Sequence, residues 1–194
     1  MNTAEIGEAS SWVKRFLGSV PDGGQVLDVA CGSGRNISAA LKHGLNVTAI
    51  DRSIEKAKAH FAASPSVNLI QLDLETGQPL GEAIPAGRFN AVIVTNYLWR
   101  PILPDIVAAV APNGLLIYET FGVGNERFGK PSNPDFLLRP GELLEAVQGK
   151  LTPFFYENAE LKQPERIVQR ICAAGAHHEW LSTPPVNTVE PAPN

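Results

Sequence analysis

Cysteine is scarce in this sequence. Among its 194 residues only Cys31 and Cys172 are cysteines, and they lie in unrelated sequence contexts. Two isolated thiols do not make the disulfide framework of a small secreted protein, and reduced thiols are typical of the cytoplasm. We therefore predict a cytoplasmic protein without such a framework.

Long apolar runs are also missing. No segment approaches the roughly 20 apolar residues that a membrane-spanning helix needs. The opening stretch, MNTAEIGEASSWVKRFL, contains two glutamates and no uninterrupted apolar core, which argues against a signal peptide. The sequence therefore predicts neither a membrane partner nor export.

Positive charge is not in excess. There are 20 aspartates and glutamates against 16 lysines and arginines, which gives a net charge of -4. This balance does not favour a nucleic-acid partner, although it leaves room for a local basic patch. The hydrophobic fraction of 44% is that of an ordinary globular protein. A chain of this length suits one domain that buries roughly 70% of its unfolded surface.

Strand-like and helix-like segments alternate along the chain. The predicted strands cover residues 25–30, 46–50, 67–72, 89–95, 115–120, 152–158 and 166–174. The predicted helices cover residues 3–18, 34–43, 53–63, 101–110 and 141–148. This alternation predicts an α/β fold, with a doubly wound, mostly parallel seven-stranded sheet, helices on both faces and an antiparallel strand pair at the C-terminal end.

The same pattern suggests how the chain is divided. Residues 1–176 are predicted to form a single domain, in which residues 1–20 supply an N-terminal helix that is a candidate lid. Residues 121–140 show no periodicity and contain three prolines, as active-site loops often do. Residues 177–194 are polar and rich in proline, so we expect a flexible tail.

The stretch VLDVACGSGRN, residues 26–36, organises the rest of the chain. A buried strand runs into an acid, Asp28, and then into Gly32 and Gly34, which allow a ligand close to the backbone. A dinucleotide fingerprint needs a small residue where Ile37 stands. Negative charge at Asp28 also disfavours a pyrophosphate, whereas it favours a cationic ligand. An adenosine ligand without a pyrophosphate fits better.

Two further aspartates follow the next two strands. Asp51 ends the second predicted strand, and Asp73 follows the third. Because ligands of doubly wound sheets lie beyond the carboxyl ends of the strands, these acids should face one ligand together with Asp28. The simpler alternative is that all three are turn formers or helix caps.

These motifs together resemble the class I S-adenosylmethionine-dependent methyltransferases. The segment DVACGSG resembles that family's acid and glycine loop, although Ala30 stands where many members carry another glycine. The resemblance implies that Asp51 binds the ribose hydroxyls and that Asp73 and Leu74 meet the adenine. It also implies S-adenosylmethionine as cofactor, S-adenosylhomocysteine as product, and no metal. The implied cofactor-binding residues are Asp28, Cys31, Gly32, Gly34, Asn36, Asp51, Arg52, Asp73, Leu74 and Asn96.

The segments NYLWRP and ETFGVGNERFGKPSNPDFLLRPGEL further resemble a bacterial subgroup related to tellurite-resistance-type methyltransferases. The implied reaction needs chiefly in-line alignment of a nucleophile, and a general base only where that nucleophile arrives protonated. Candidate substrate-side residues are Tyr97, Arg100, Glu119, Arg127 and Arg139. Their arginines favour an acceptor that is anionic, or else a soft nucleophile.

Several alternatives stay open at this stage. The acceptor is predicted to be a small molecule, but the chain could instead methylate RNA or protein, or bind the cofactor without catalysis. Tyr97 could serve packing rather than substrate binding, and Cys31 is expected to be a small buried residue rather than a nucleophile. The pair His177 and His178 does not predict a metal site, because adjacent side chains of a strand point to opposite faces. The oligomeric state is left unpredicted.

Overall fold

A computed structural model describes residues 6–77, 80–81 and 83–186. Its strands are β1 (Gln25–Val29), β2 (Asn46–Asp51), β3 (Val67–Gln71), β4 (Phe89–Thr95), β5 (Val110–Phe121), β6 (Thr152–Lys162) and β7 (Glu165–Ala174). Its helices are α1 (Ser11–Leu17), α2 (Arg35–Lys42), α3 (Glu55–Phe61), α4 (Leu103–Ala108) and α5 (Glu142–Val147). Short 3-10 turns cover Arg100–Ile102, Asn125–Arg127, Pro134–Phe136 and Glu179–Leu181.

The strands form one seven-stranded sheet in the order β3-β2-β1-β4-β5-β7-β6. Strands β1 to β5 are parallel, whereas β7 is antiparallel to both β5 and β6. The order reverses at β1, and this is where a doubly wound sheet opens a ligand crevice at its carboxyl edge. The predicted fold class is confirmed.

Helices cover both faces of the sheet. One apolar cluster joins α1, α2 and α3 to the first face, through residues such as Trp12, Ile37 and Phe61. A second cluster joins α4 and α5 to the other face, through residues such as Ile106 and Leu143. Because both faces are covered, the central strand β4 is an almost wholly buried apolar run.

Local side-chain contacts explain where two helices begin. The predicted helix over residues 3–18 is shorter, because the Ser10 hydroxyl accepts hydrogen bonds from the amides of Trp12 and Val13 and starts α1 there. Residues 3–5 of that prediction lie outside the described residues. The helix predicted from residue 53 begins two residues later. The amide of Ser53 donates to the Asp51 carboxylate at 2.9 Å, and α3 begins at Glu55.

The boundaries around β5 also differ from the prediction. The helix expected over residues 101–110 is a 3-10 turn followed by α4, which ends at Ala108. Residues 112–114, which lie between the predicted helix and the next predicted strand, are part of β5, beside a register shift between Phe89 and Ala91 of β4. Backbone pairing thus begins earlier than the apolar run that predicted the strand.

The flexible tail predicted from residue 177 is wrong for its first residues. Trp180 is buried and packs edge-on against Phe16, Phe154 and Phe155. The imidazole of His178 accepts a hydrogen bond from the Trp180 amide, and burial lowers the pKa of this histidine. Aromatic packing therefore holds the chain to the sheet at Trp180, while the end of the predicted tail, residues 187–194, lies outside the described residues.

Across the described ranges, the helices are all too short or too polar to traverse a bilayer.

Candidate cofactor and acceptor site

A cavity of about 380 Å³ lies at the carboxyl edge of the parallel strands. Its walls come from the segments that follow β1 to β4, from the end of β5, and from the loop after β5. The lining residues are Ala30, Asp51, Arg52, Leu72, Asp73, Leu74, Glu75, Asn96, Tyr97, Leu98, Thr120, Phe121, Pro131 and Phe136. The edge predicted from the topology therefore carries a concave site.

Two strained backbone positions lie side by side in this cavity. Ala30 follows β1 and Asn96 follows β4, and both have a φ of 55°. This left-handed conformation is uncommon for residues other than glycine, and strained residues cluster at ligand sites. The family resemblance predicts glycine at Ala30, and the backbone there has kept the conformation that favours glycine.

The glycine turn between β1 and α2 approaches its neighbours closely. A Cβ atom on Gly34 would lie 2.5 Å from the Phe61 ring and 3.0 Å from the Ile37 side chain. Gly34 also has a φ of 86°, so no other residue fits there without strain. Ile37, the residue that breaks the dinucleotide fingerprint, helps to close this turn from the α2 side.

Asp51 holds the glycine turn in place. Its carboxylate accepts a 2.8 Å hydrogen bond from the Gly32 amide and a 2.9 Å bond from the Ser53 amide. Because two amide donors fix the carboxylate, it faces the cavity in a defined orientation. The carboxylate thus lines the cavity in a fixed orientation, and its binding of ligand hydroxyls stays a prediction.

The segment after β3 forms the next wall of the cavity. Asp73, Leu74 and Glu75 all line it, and the Asp73 carboxylate accepts a 2.9 Å hydrogen bond from the Glu75 amide. Tyr97 faces the same cavity, with a buried hydroxyl that has no hydrogen-bond partner among the described residues. Burial raises the pKa of Tyr97, so its hydroxyl stays protonated and can donate to a ligand.

Asp28 lies behind the glycine turn and is only 1% exposed. Neither of its carboxylate oxygens has a hydrogen-bond partner among the described residues. Burial raises the pKa of Asp28 to about 7, although the side chains of Asn36 and Arg35 partly oppose this shift. A buried acid with so little compensation carries a large desolvation cost, and an ammonium group in hydrogen-bonding reach would offset that cost.

Rising pH should therefore destabilise the ligand-free protein through Asp28. The pKa of Asp28 is about 7 in the folded state, above the ordinary value of 3.8. Between these two pH values the folded state therefore keeps Asp28 protonated, whereas the unfolded state releases the proton. The free energy of unfolding should fall as pH rises through this window. Urea unfolding at a series of pH values measures it.

The matched control is Asp28→Asn, which keeps the size of the side chain but cannot ionise. The variant should lose the part of the pH dependence that lies between about pH 4 and pH 7. Equal pH dependence in both proteins would contradict the assignment.

Cys31 and Asn36 serve the structure around the turn rather than the cavity wall. Burial raises the pKa of Cys31 well above its usual range, so the thiol is neither ionised nor nucleophilic. The buried Asn36 amide donates to the Thr95 hydroxyl at 3.0 Å and accepts from the Ser10 amide at 3.3 Å. Of the ten predicted cofactor residues, five line the cavity, and the five that do not are Asp28, Cys31, Gly32, Gly34 and Asn36.

The three predicted substrate-side arginines are engaged elsewhere. Arg100 pairs with Glu142 at 2.6 Å, and its guanidinium also donates to the carbonyl oxygens of Asp135 and Leu137 at 2.6 and 2.8 Å. The hydrogen bond to Glu142 raises the pKa of Arg100. Burial of Glu142 acts to raise the pKa of its carboxyl group, but the hydrogen bond from Arg100 outweighs this effect, and the net result is a lowered pKa. Arg100 therefore fixes the loop after β5.

Arg127 and Arg139 are paired with acids as well. Arg127 lies 3.3 Å from the Glu160 carboxylate, and Arg139 lies 3.5 and 3.7 Å from those of Glu142 and Glu145. Neither lines the cavity. The prediction that these arginines hold an anionic acceptor rested on their sequence alone, and the structure assigns their charges to other partners.

Glu119 is placed in the core rather than at the acceptor. It is 2% exposed, it pairs with Arg170 at 3.0 Å, and it accepts a 3.0 Å hydrogen bond from the Ser10 hydroxyl. Its strand neighbour Thr120 points instead into the cavity lining, because successive side chains of a strand face opposite sides. Of these two adjacent residues, the predicted one lies in the core and its neighbour lines the cavity.

Four lining residues near β5 were not predicted individually. Thr120, Phe121, Pro131 and Phe136 complete the cavity wall beside β5. The available signal was the aromatic and proline content of the loop over residues 121–140. That signal marked the loop as part of a site but could not say which of its side chains turn inward.

Residues 26–114 match the family model described as a methyltransferase domain. The ribosomal protein L11 methyltransferase of Bordetella parapertussis is 34% identical over 110 residues, which cover 55% of this chain and 33% of that protein. The chain spans less than half the length of the curated relatives it matches.

Solved structures share the fold. A TehB-like S-adenosylmethionine-dependent methyltransferase from Corynebacterium glutamicum has a TM-score of 0.60 at 21% identity, covering 89% of this chain and 92% of its own. The 1,6-didemethyltoxoflavin-N1-methyltransferase of Burkholderia thailandensis, solved with 1,6-didemethyltoxoflavin and S-adenosylhomocysteine, has a TM-score of 0.59 at 18% identity. It covers 84% of this chain and 78% of its own.

The family match and the fold agree with each other. Residues 26–114 match a methyltransferase domain, and the sheet has the Rossmann-like order that is shared with solved S-adenosylmethionine-dependent methyltransferases, in line with the resemblance drawn from the motifs. No group of three or more metal-binding side chains occurs within residues 6–77, 80–81 and 83–186.

Proposed function

We propose that this protein transfers a methyl group from S-adenosylmethionine to a small, soft nucleophilic acceptor in the cytoplasm. The observation that carries the proposal is the convergence of Asp51, Asp73 and Asn96 on one cavity, with the unpaired carboxylate of Asp28 buried behind its glycine turn. Each of these groups suits a different part of an adenosyl-amino-acid ligand.

The residues present fit that cofactor. Asp51 offers a fixed carboxylate for vicinal hydroxyls, because two backbone amides orient it. For a polar ring edge, the Asp73 carboxylate offers a hydrogen-bond acceptor, and the Tyr97 hydroxyl offers a donor. Asp28 offers a buried carboxyl group, and the positive charge of an ammonium ligand would favour its ionised form. When bound, S-adenosylmethionine supplies a methyl group on a sulfonium, which is a good leaving group.

The protein's own part in the reaction is alignment and exclusion of water. The backbone at Ala30 and Asn96 is held in a strained, fixed conformation beside the cavity. The apolar side chains of Leu98 and Phe121 line the same space, which keeps the reacting atoms away from bulk solvent. Neither Tyr97 nor Cys31 acts as a base, because burial keeps both protonated.

Calorimetric titration with S-adenosylhomocysteine tests the proposal. We expect saturable binding with Kd below about 100 μM. NAD should not bind, because the glycine turn lacks the dinucleotide fingerprint at Ile37. Absence of heat up to about 1 mM S-adenosylhomocysteine would overturn the proposal.

Protein is a second candidate acceptor, favoured by the 34% identity to a ribosomal protein L11 methyltransferase. An RNA or protein acceptor would be supported by an open basic face, yet Arg100, Arg127 and Arg139 are paired with acids. Labelled methyl transfer into a lysate, divided into macromolecular and small-molecule fractions, separates these acceptors. Binding of the cofactor without any labelled product would indicate a non-catalytic module.

A further inference from the structure

The acceptor end of the cavity has a chemical character of its own. The cavity crosses the sheet from β3 to β5, and its charged residues, Asp51, Arg52, Asp73 and Glu75, all follow β2 or β3. Phe121 ends β5, which is three strand spacings from β2, or about 14 Å. The charges and the β5 wall therefore occupy opposite ends of one cavity.

The β5 end is apolar and aromatic. Phe121, Pro131 and Phe136 line it, and the hydroxyl-bearing Thr120 is its polar side chain. Phe136 is 38% exposed, so its ring is accessible to a ligand entering the cavity. Flat aromatic faces bind flat rings by stacking or edge contact.

No cation among the described lining residues lies at this end, since Arg52 follows β2. Arg100 lies nearby, but its guanidinium donates hydrogen bonds to the carbonyl oxygens of Asp135 and Leu137, the residues on either side of Phe136. Two further N–H groups of Arg100, on Nε and Nη2, donate to the Glu142 carboxylate. Arg100 is thus a positioning residue that sets the place of the Phe136 ring, and no free guanidinium is left for a carboxylate.

We propose that the methyl acceptor is a flat, uncharged heteroaromatic molecule whose ring nitrogen presents a lone pair between Phe121 and Phe136. This inference rests on the proposed methyltransferase function and names its substrate class. It replaces the anionic acceptor predicted from the arginines.

The chemistry balances without a base. The lone pair on the ring nitrogen forms the new bond to the methyl carbon as the carbon–sulfur bond breaks, and the electrons of that bond stay on sulfur. The acceptor nitrogen takes up the positive charge that the sulfur loses. No proton moves, which agrees with a cavity in which the Tyr97 hydroxyl remains protonated.

The test uses the full chain saturated with S-adenosylhomocysteine and two probes, quinoline and quinoline-4-carboxylate. Saturation-transfer NMR should show binding of quinoline and at least about fivefold weaker binding of the carboxylate. Phe136→Ala and Phe136→Leu should each weaken quinoline binding about fivefold, because leucine restores bulk but not a flat ring. With S-adenosylmethionine, mass spectrometry should detect N-methylquinolinium.

Phe128→Ala is the matched control, because Phe128 lies in the same loop but stacks on Arg127 and does not line the cavity. It should leave quinoline binding unchanged. Preference for the carboxylate, or full quinoline binding in both Phe136 variants, would overturn the inference. Calorimetry with S-adenosylhomocysteine is done first, so that loss of the proposed function is distinguished from loss of the acceptor class alone.

Discussion

Asp51→Asn should weaken S-adenosylhomocysteine binding about 50-fold, the loss of roughly 2 kcal/mol expected when charge-assisted hydrogen bonds are removed. The carboxylate of Asp51 has two tasks that an amide cannot combine. It accepts from the amides of Gly32 and Ser53, and it faces the cavity where ligand hydroxyls need acceptors. In the variant, an NH₂ group replaces one of the two carboxylate oxygens. This group cannot accept a hydrogen bond from a backbone amide or from a ligand hydroxyl.

Calorimetry of the wild type and the variant measures this loss, and amide hydrogen exchange at Gly32 reports the state of the turn without ligand. Exchange at Gly32 should be faster in the variant, because its amide loses an ionised acceptor. Asp105→Asn is the control, since Asp105 is exposed on α4 and away from the cavity. A change in affinity smaller than about threefold would show that Asp51 is not a ligand-binding residue.

The cofactor side was predictable because its information is local. Each acid directly follows a predicted strand, and parallel strands bring their carboxyl ends to one edge. Asp51, Asp73 and Asn96 therefore reach the cavity as soon as the strand order is known. The glycine turn is equally local, since Gly34 and Ile37 lie within one turn of α2.

The acceptor side could not be predicted in the same way, because its charges depend on partners far away in the sequence. Arg100 pairs with Glu142, which is 42 residues away, and Glu119 pairs with Arg170, 51 residues away. Composition shows that the loop region contains arginines, but not whether acids elsewhere have neutralised them. This is why the arginines suggested an anionic acceptor and the packed structure favours an uncharged one.

The predicted ends of the helices and strands differ from the observed ends for a related reason. The β6–β7 hairpin pairs from Thr152 to Lys162, beyond the predicted end at residue 158, because backbone pairing with β7 continues after the apolar pattern stops. Trp180 is likewise held by aromatic rings of α1 and β6. Propensity describes the segment itself, whereas these contacts come from neighbouring segments.

Arg170→Met should lower the free energy of unfolding by about 3 kcal/mol, because the buried Glu119 charge would keep only its longer 3.9 Å contact with Arg166. Arg170 joins Glu119 at 3.0 Å and Glu157 at 2.6 Å, and its guanidinium also lies 4.7 Å from the Trp12 ring centre. Glu119 is itself linked to Ser10. The pair therefore ties β5 and β7 to the start of α1, and urea unfolding followed by circular dichroism measures its contribution.

A double-mutant cycle separates this structural role from the substrate role first predicted for Glu119. Glu119→Gln should also destabilise the fold, yet it should leave S-adenosylhomocysteine affinity within about twofold of the wild type, because Glu119 does not line the cavity. The double variant should lose less stability than the sum of the single variants, since it leaves no unpaired charge between these two positions. Glu55→Gln, at an exposed pair with Lys58, supplies the control and should change stability by less than about 0.5 kcal/mol. If Glu119→Gln kept full stability while methyl transfer was lost, Glu119 would belong to the reaction rather than to the core.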